Sequence, residues 1–125
     1  MNYEVILTTD FKKFFKRLFK KYPSLKDDLL KLIQDLENDY KIGTPLGSNL
    51  FKIRISISSK NKGKSGGARV IYFFVSEENE IYLIHIFDKS EFENLPKETF
   101  IDLLKNAGLI SRNNQVGKIL YDYPQ

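Results

Sequence analysis

The stretch Leu50-Phe51-Lys52-Ile53-Arg54-Ile55-Ser56-Ile57-Ser58 alternates apolar and polar residues after its first position. Side chains along a strand point to opposite faces in turn, so a period of two predicts a β-strand with one buried and one wet face. Phe51, Ile53, Ile55 and Ile57 form the apolar side, and Lys52, Arg54, Ser56 and Ser58 the polar side. Upstream the period is different. Phe11, Phe14, Phe15, Leu18, Phe19 and Tyr22 recur at helical spacing over three turns, with Asp10 as the expected N-cap. Lys12, Lys13, Lys16, Arg17, Lys20 and Lys21 take the opposite face and read as a solvated basic back. Pro23 stops this helix, and Ser24 with Asp27 offers an S-x-x-D cap for a second one. Leu25, Leu29, Leu32, Ile33, Leu36 and Tyr40 carry that second stripe, so an antiparallel helical hairpin is expected. Gly43, Pro45 and Gly47 then read as a loop.

Downstream, SKNKGKSGG from Ser59 to Gly67 reads as a flexible basic connection. A strand is expected from Ala68 to Ser76, a polar turn at Glu77, Glu78 and Asn79, and a partner strand from Glu80 to Phe87. Leu95 and Pro96 open a last helix whose Phe100, Leu103, Leu104 and Ala107 share a face, with Gly108 as its C-cap. Tyr3 to Thr8 reads as a short opening strand. The order β, α, α, β, β, β, α predicts an α+β domain over residues 1–108. An N-terminal helical hairpin packs on one face of a small antiparallel sheet, and a C-terminal helix follows. Residues 109–125 form a polar tail with Ile119, Leu120, Tyr121 and Tyr123.

Composition narrows the function classes. With 125 residues and 42% hydrophobic content the chain suits one globular core. Its apolar runs, such as Val70 to Val75, are too short to span a bilayer, so no membrane partner is expected. No signal peptide is read after Met1. There is no cysteine, which removes disulfide and thiolate chemistry and fits the cytoplasm. Net charge is +4, but Tyr40 to Ser76 holds no acidic residue and seven basic ones: Lys41, Lys52, Arg54, Lys60, Lys62, Lys64 and Arg69. That segment is +7, which leaves −3 for the rest. Such a field attracts polyanions, nucleic acid above all.

Catalytic signatures are few. There is no phosphate-binding G-x-x-x-x-G-K-[ST] loop and no H-E-x-x-H. The single histidine, His85, lies mid-strand and reads as structural, so no metal site and no small-molecule cofactor are expected. A cationic site on a sheet remains. RNA cleavage by a ribose 2′-OH needs a base, an acid and positive charge on the phosphorane-like transition state. Lys52, Arg54 and Arg69 on adjacent strands suit that chemistry. The arginines suit a phosphate clamp, and a lysine serves as base if neighbouring cations lower its pKa.

The run Gly66-Gly67-Ala68-Arg69-Val70-Ile71-Tyr72-Phe73, after the basic Lys62-Gly63-Lys64-Ser65, resembles the "GG-x-R-hydrophobic-hydrophobic-Tyr" strand of RelE/HigB toxins. The run from Ile81 to Glu91, continued by Phe92 to Leu95, resembles the same family's apolar strand ending in aromatic-x-Lys-x-Glu. The resemblance covers about residues 3 to 107. It implies a type II toxin that enters the ribosomal A site, cuts messenger RNA there, and is silenced by a cognate antitoxin. By position it implies Arg69 as the phosphate-stabilising arginine, Lys52 and Arg54 as the basic pair of the preceding strand, and Lys89 as the basic residue after the last one. Lys60, Lys62 and Lys64 would contact RNA. Phe87 and Phe92 are the nearest aromatics to the family's base-stacking tyrosine, which has no match here. Ser90 stands where RelE has a second arginine. ParE-like toxins, which keep the fold and poison DNA gyrase without RNase activity, are the alternative. A plain RNA-binding protein is a third reading.

Overall fold

The computed structural model describes residues 2–60, 66–90 and 95–110. Five strands and three helices follow in chain order: β1 Glu4–Leu7, α1 Thr9–Lys21, α2 Leu25–Asn38, β2 Thr44–Gly47, β3 Leu50–Ile55, β4 Ala68–Val75, β5 Glu80–Asp88 and α3 Lys97–Asn106. The strands form one sheet in the order β1-β5-β4-β3-β2. The α+β class and the helical hairpin therefore hold. β2–β3, β3–β4 and β4–β5 pair antiparallel, whereas β1 runs parallel to β5. The sheet is mixed, not wholly antiparallel, because β1 closes onto a strand more than seventy residues away. Its direction is set by the intervening helices and not by a turn.

β2 was expected as loop. Ser48 and Asn49 both have positive φ, 56° and 63°, and join β2 to β3. Two central residues of that kind make the tight hairpin whose twist matches paired strands. Pro45 sits on this outermost strand, where a missing N–H costs no ladder bond. The caps also differ from expectation. Thr8, not Asp10, caps α1 by accepting from the Phe11 N–H at 3.2 Å. Ser24 makes no cap bond to its own helix; its hydroxyl instead donates to Asp28 at 3.0 Å. After α3, Gly108 takes φ 74°, and Leu109 N–H donates to Leu104 while Gly108 N–H donates to Lys105. That pair of bonds is the Schellman ending that glycine permits.

The sheet is covered on both faces. α1 and α2 bury Phe11, Leu18, Leu25, Leu29, Leu32 and Leu36 against Val70, Tyr72, Ile81, Leu83 and Ile86. The second face joins Leu50, Ile71, Phe73, Ile84 and Phe87 to Phe100, Leu103 and Leu104 of α3, with Ile110 following it in. Helices on one face only were expected, and α3 corrects that. All eight residues of β4 are buried as a result, which is why the strand reads as a near-continuous apolar run. Side chains of this size each contribute about 1.5–3 kcal/mol on full burial.

Gly67 locks β4 to β3. A Cβ there would sit far inside van der Waals contact distance of the Ile55 carbonyl oxygen, and the Gly67 carbonyl accepts from Lys89 N–H at 3.1 Å. Backbone cannot yield as a side chain can. Gly67→Ala is expected to cost about 3 kcal/mol of unfolding free energy, measured by urea denaturation. An unchanged midpoint would show that the strand pair tolerates a wider gap.

Candidate functional site

Register decides which cations meet. Arg54 lies opposite Arg69, and Arg69 opposite Phe87, so the three form one row across β3, β4 and β5. Lys52, Ile71 and His85 form the next row. Directly opposed residues share a face, and Ile71 and Phe87 belong to the core under α3. Lys52, Arg54 and Arg69 therefore project from the α3 face, at the end where β4 begins. The predicted wet face is thus only part of this side of the sheet.

Arg69 is 6% exposed, far more buried than a solvated basic residue. Its Nη1 donates to the Ala68 carbonyl at 3.2 Å. Burial, then the charge of Arg54, hold its pKa below the ordinary arginine value. Like charges directly opposed in a sheet are destabilising. Two guanidinium groups opposed in this way concentrate positive charge at one point of the sheet, which is where a phosphate would be attracted. Arg54 is exposed and Lys52 half-buried, so the row runs from a buried guanidinium to an open one.

Gly67, two residues before Arg69, makes room for β3, as the Ile55 contact shows. The expectation for Phe87 is corrected. At 2% exposure it is packed in the core beneath α3 and beside the His85 ring at 5.3 Å, so it presents no surface on which a base can stack. Lys62, Lys64 and Phe92 lie outside the described residues, as does the side chain of Lys60.

Lys89 is half-buried just past β5. Its neighbour Asp88 is fully buried and accepts from the Tyr22 hydroxyl at 2.8 Å and from Ser90 N–H at 3.0 Å. The end of α1 thereby fixes the chain that carries Lys89. A second anchor holds the start of the basic connection. Asp28 accepts from Ser58 N–H at 3.0 Å and the Ser58 hydroxyl at 2.6 Å, and Ser24 Oγ accepts from Ser59 N–H at 2.8 Å. Neither Asp28 nor Asp88 was visible as functional in sequence, because their partners lie 30 and 66 residues away.

His85 is structural as expected, and more enclosed. It is 7% exposed, tilted against Phe14 at 4.2 Å and near Phe100 at 6.3 Å. The register shift between Ile71 and Tyr72 lets Ile84 and His85 both turn toward α3. Its Nδ1 is buried with no hydrogen-bond partner among the described residues. Burial, reinforced by Arg17 and opposed by Asp10, lowers its pKa to about 4. A neutral imidazole in an aromatic cage cannot serve the cationic row. Among the described residues no helix is long and apolar enough to cross a membrane.

A five-stranded mixed sheet thus carries a helical hairpin on one face and a cationic row on the other. Similar solved structures include an arginine double mutant of the E. coli toxin RelE in the free state, at 16% identity. It covers 85% of this chain and 98% of that one, with a TM-score of 0.58. The isolated E. coli RelE toxin matches at 16% identity over 83% and 97% of the two chains, with a TM-score of 0.54. The toxin–antitoxin complex RelBE2 from Mycobacterium tuberculosis matches at 17% identity over 70% and 92%, with a TM-score of 0.53. At such identities these likenesses establish the fold. The family model for the RelE toxin of the RelE/RelB toxin–antitoxin system matches residues 9–116, and the chain belongs to that family. The gyrase-poisoning alternative is not favoured.

Proposed function

We propose that this toxin cuts messenger RNA on the ribosome in the cytoplasm, and that a cognate antitoxin silences it. The observation that carries the reading is the opposed pair of Arg54 and Arg69, with Lys52 on the same face of the sheet. In the reaction the ribose 2′-oxygen attacks the adjacent phosphorus and the bond to the 5′-oxygen breaks. The 2′ proton passes to a base, and the leaving 5′-oxygen takes one up. Arg69 and Arg54 are assigned to the non-bridging phosphate oxygens, since guanidinium donors match phosphate geometry in pairs. Lys52 is assigned as base, because it is the amine in the next row beside the two arginines, and guanidinium groups stay charged. Lys89 supplies charge near the leaving group. Lys60, Lys62, Lys64 and Phe92 are assigned to RNA binding, on the strength of their residue types and positions after β3 and β5.

Expression of the chain alone is expected to arrest translation and leave messages cut within codons, mapped by sequencing of 5′ ends. Continued translation with a rising DNA-damage response would replace this reading with the gyrase one. RNA bound in a salt-dependent manner but left intact would reduce it to a binding module. Co-expression with the adjacent gene is expected to restore growth and yield a stable complex.

A further inference from the structure

Tyr72 closes the motif that brought Arg69 forward, yet the cleavage site makes no use of it. It is fully buried in the core under α1 and α2, on the face opposite Lys52 and Arg69. Its ring stacks on Phe51 of β3 at 5.1 Å, and its hydroxyl reaches past that strand. There it donates to the Tyr40 carbonyl at 2.7 Å and accepts from Gly43 N–H at 2.9 Å. Tyr40–Ile42 is the single helical turn that leads from α2 into β2, so one hydroxyl ties both ends of that turn to the middle of the sheet. Burial, with the charge of Asp39, raises the Tyr72 pKa to about 12 against the pull of the Gly43 bond, so the group stays a neutral hydroxyl able to donate and accept at once. Gly43 suits this contact. A Cβ there would lie 2.7 Å from the Tyr72 oxygen and 3.0 Å from the Lys52 carbonyl oxygen.

β2 needs such a fastening, because it is the outermost strand and pairs with β3 alone. The hairpin at Ser48 and Asn49 holds its far end, and the Tyr72 hydroxyl holds its near end. Thr44, the first residue of β2, stands directly opposite Lys52. Cross-strand partners share a face, so Thr44 walls the Lys52 side chain on one flank. The effect is visible along β3. Lys52, with β2 beside it, is half-buried, and Arg54, past the end of β2, is exposed.

We propose that Tyr72 is a positioning residue for message cleavage, holding β2 against Lys52 from the opposite face of the sheet. The inference rests on the assignment of Lys52 as base. A base acts only within hydrogen-bond reach of the proton it takes. A lysine has a long stem with many rotamers, and a wall on one flank limits the places its amine can occupy. Removing the Tyr72 hydroxyl leaves Gly43 N–H and the Tyr40 carbonyl without that partner. The turn then loosens toward water, β2 parts from β3 at Thr44, and Lys52 loses its wall. Tyr72 itself never touches the message, because it is enclosed beneath β3. Arg54 and Arg69 keep their places, since β3 and β4 stay paired. Phosphate binding therefore persists while proton transfer slows.

The test compares full-length wild type, Tyr72→Phe and Gly43→Ala, with Leu18→Val as a control that loosens the core on α1. NMR-detected amide exchange is expected to quicken at least about tenfold more across residues 43–47 than in β5. Reductive methylation read by mass spectrometry should modify Lys52 faster in both variants, relative to the exposed Lys16 of the same sample. Single-turnover cleavage on programmed ribosomes should lose at least about tenfold in maximal rate, with the half-saturating ribosome concentration within about twofold of wild type. Leu18→Val should keep the wild-type rate. A folded Tyr72→Phe protein with the full rate overturns the inference, as does one whose β2 amides stay protected. So does an equal loss of rate in Leu18→Val at a matched urea midpoint, which makes the hydroxyl a stability element alone. A wild-type chain that cuts nothing defeats the cleavage reading instead. The brace on Lys52 is then decided by exchange and methylation, and an unchanged Lys52 defeats it.

Discussion

Arg69→Ala is expected to lower the rate of message cleavage by about 10²–10³ while leaving the circular dichroism spectrum unchanged. The magnitude follows from losing one preorganised donor pair aimed at transition-state charge. The buried setting strengthens the case. At 6% exposure the guanidinium is held against the Ala68 carbonyl, so it need not be ordered when substrate arrives. The fold should survive because the substitution also removes the opposition to Arg54. Arg69→Lys should recover only part of the loss, since an ammonium keeps the charge without the fork. Lys16→Ala is the control. That residue is exposed on the back of α1, and a solvated lysine contributes little. Single-turnover cleavage on programmed ribosomes reads all three variants. A folded Arg69→Ala protein with full activity would remove the proposed mechanism.

Acid should destabilise the protein through His85. Its pKa is about 4 in the fold against 6.5 for the free side chain, because burial and Arg17 disfavour the charged ring more than Asp10 favours it. Between those values the unfolded chain binds a proton that the folded one does not. Stability therefore rises with pH across this window and is lost as pH falls from about 6.5 toward 4. At 1.36 kcal/mol per unit, the loss reaches about 3 kcal/mol near pH 4 and then levels off. Below pH 4 both states carry the proton and this group adds no further slope. The aromatic surroundings, Phe14, Phe87 and Phe100, offer no compensating acceptor. Urea midpoints of wild type and His85→Leu at pH 7.5 and 4.5 give the test. The variant should lose most of the difference between the two pH values; an equal slope in both proteins would assign acid sensitivity to the carboxylates instead.

Much of the fold was legible because its signals are local. The stripe from Phe11 to Tyr22 and the alternation from Phe51 to Ile57 are each set by neighbours a few residues apart, and both elements form as read. Alternation also placed Lys52 and Arg54 together on one side of β3, and the "GG-x-R" run brought Arg69 into the argument. β2 was not legible, since its hairpin turns on Ser48 and Asn49 with positive φ rather than on a glycine, and Pro45 argues against a strand. Phe87 was misread because an aromatic near a strand end looks the same whether α3 covers it or not.

The sequence alone determined every element but β2, their amphipathic faces and the sign of the charge on β3, because periods of two and of three to four residues report burial within a single element. Tertiary structure alone decided the rest. It set the parallel pairing of β1, placed α3 on the second face, faced Arg54 to Arg69, and tied Asp28 and Asp88 to distant chain segments. The physical reason is range. A periodicity states that a side must be covered but not by what. Which cation stands beside which depends on register between strands whose neighbours in space are far apart in the chain.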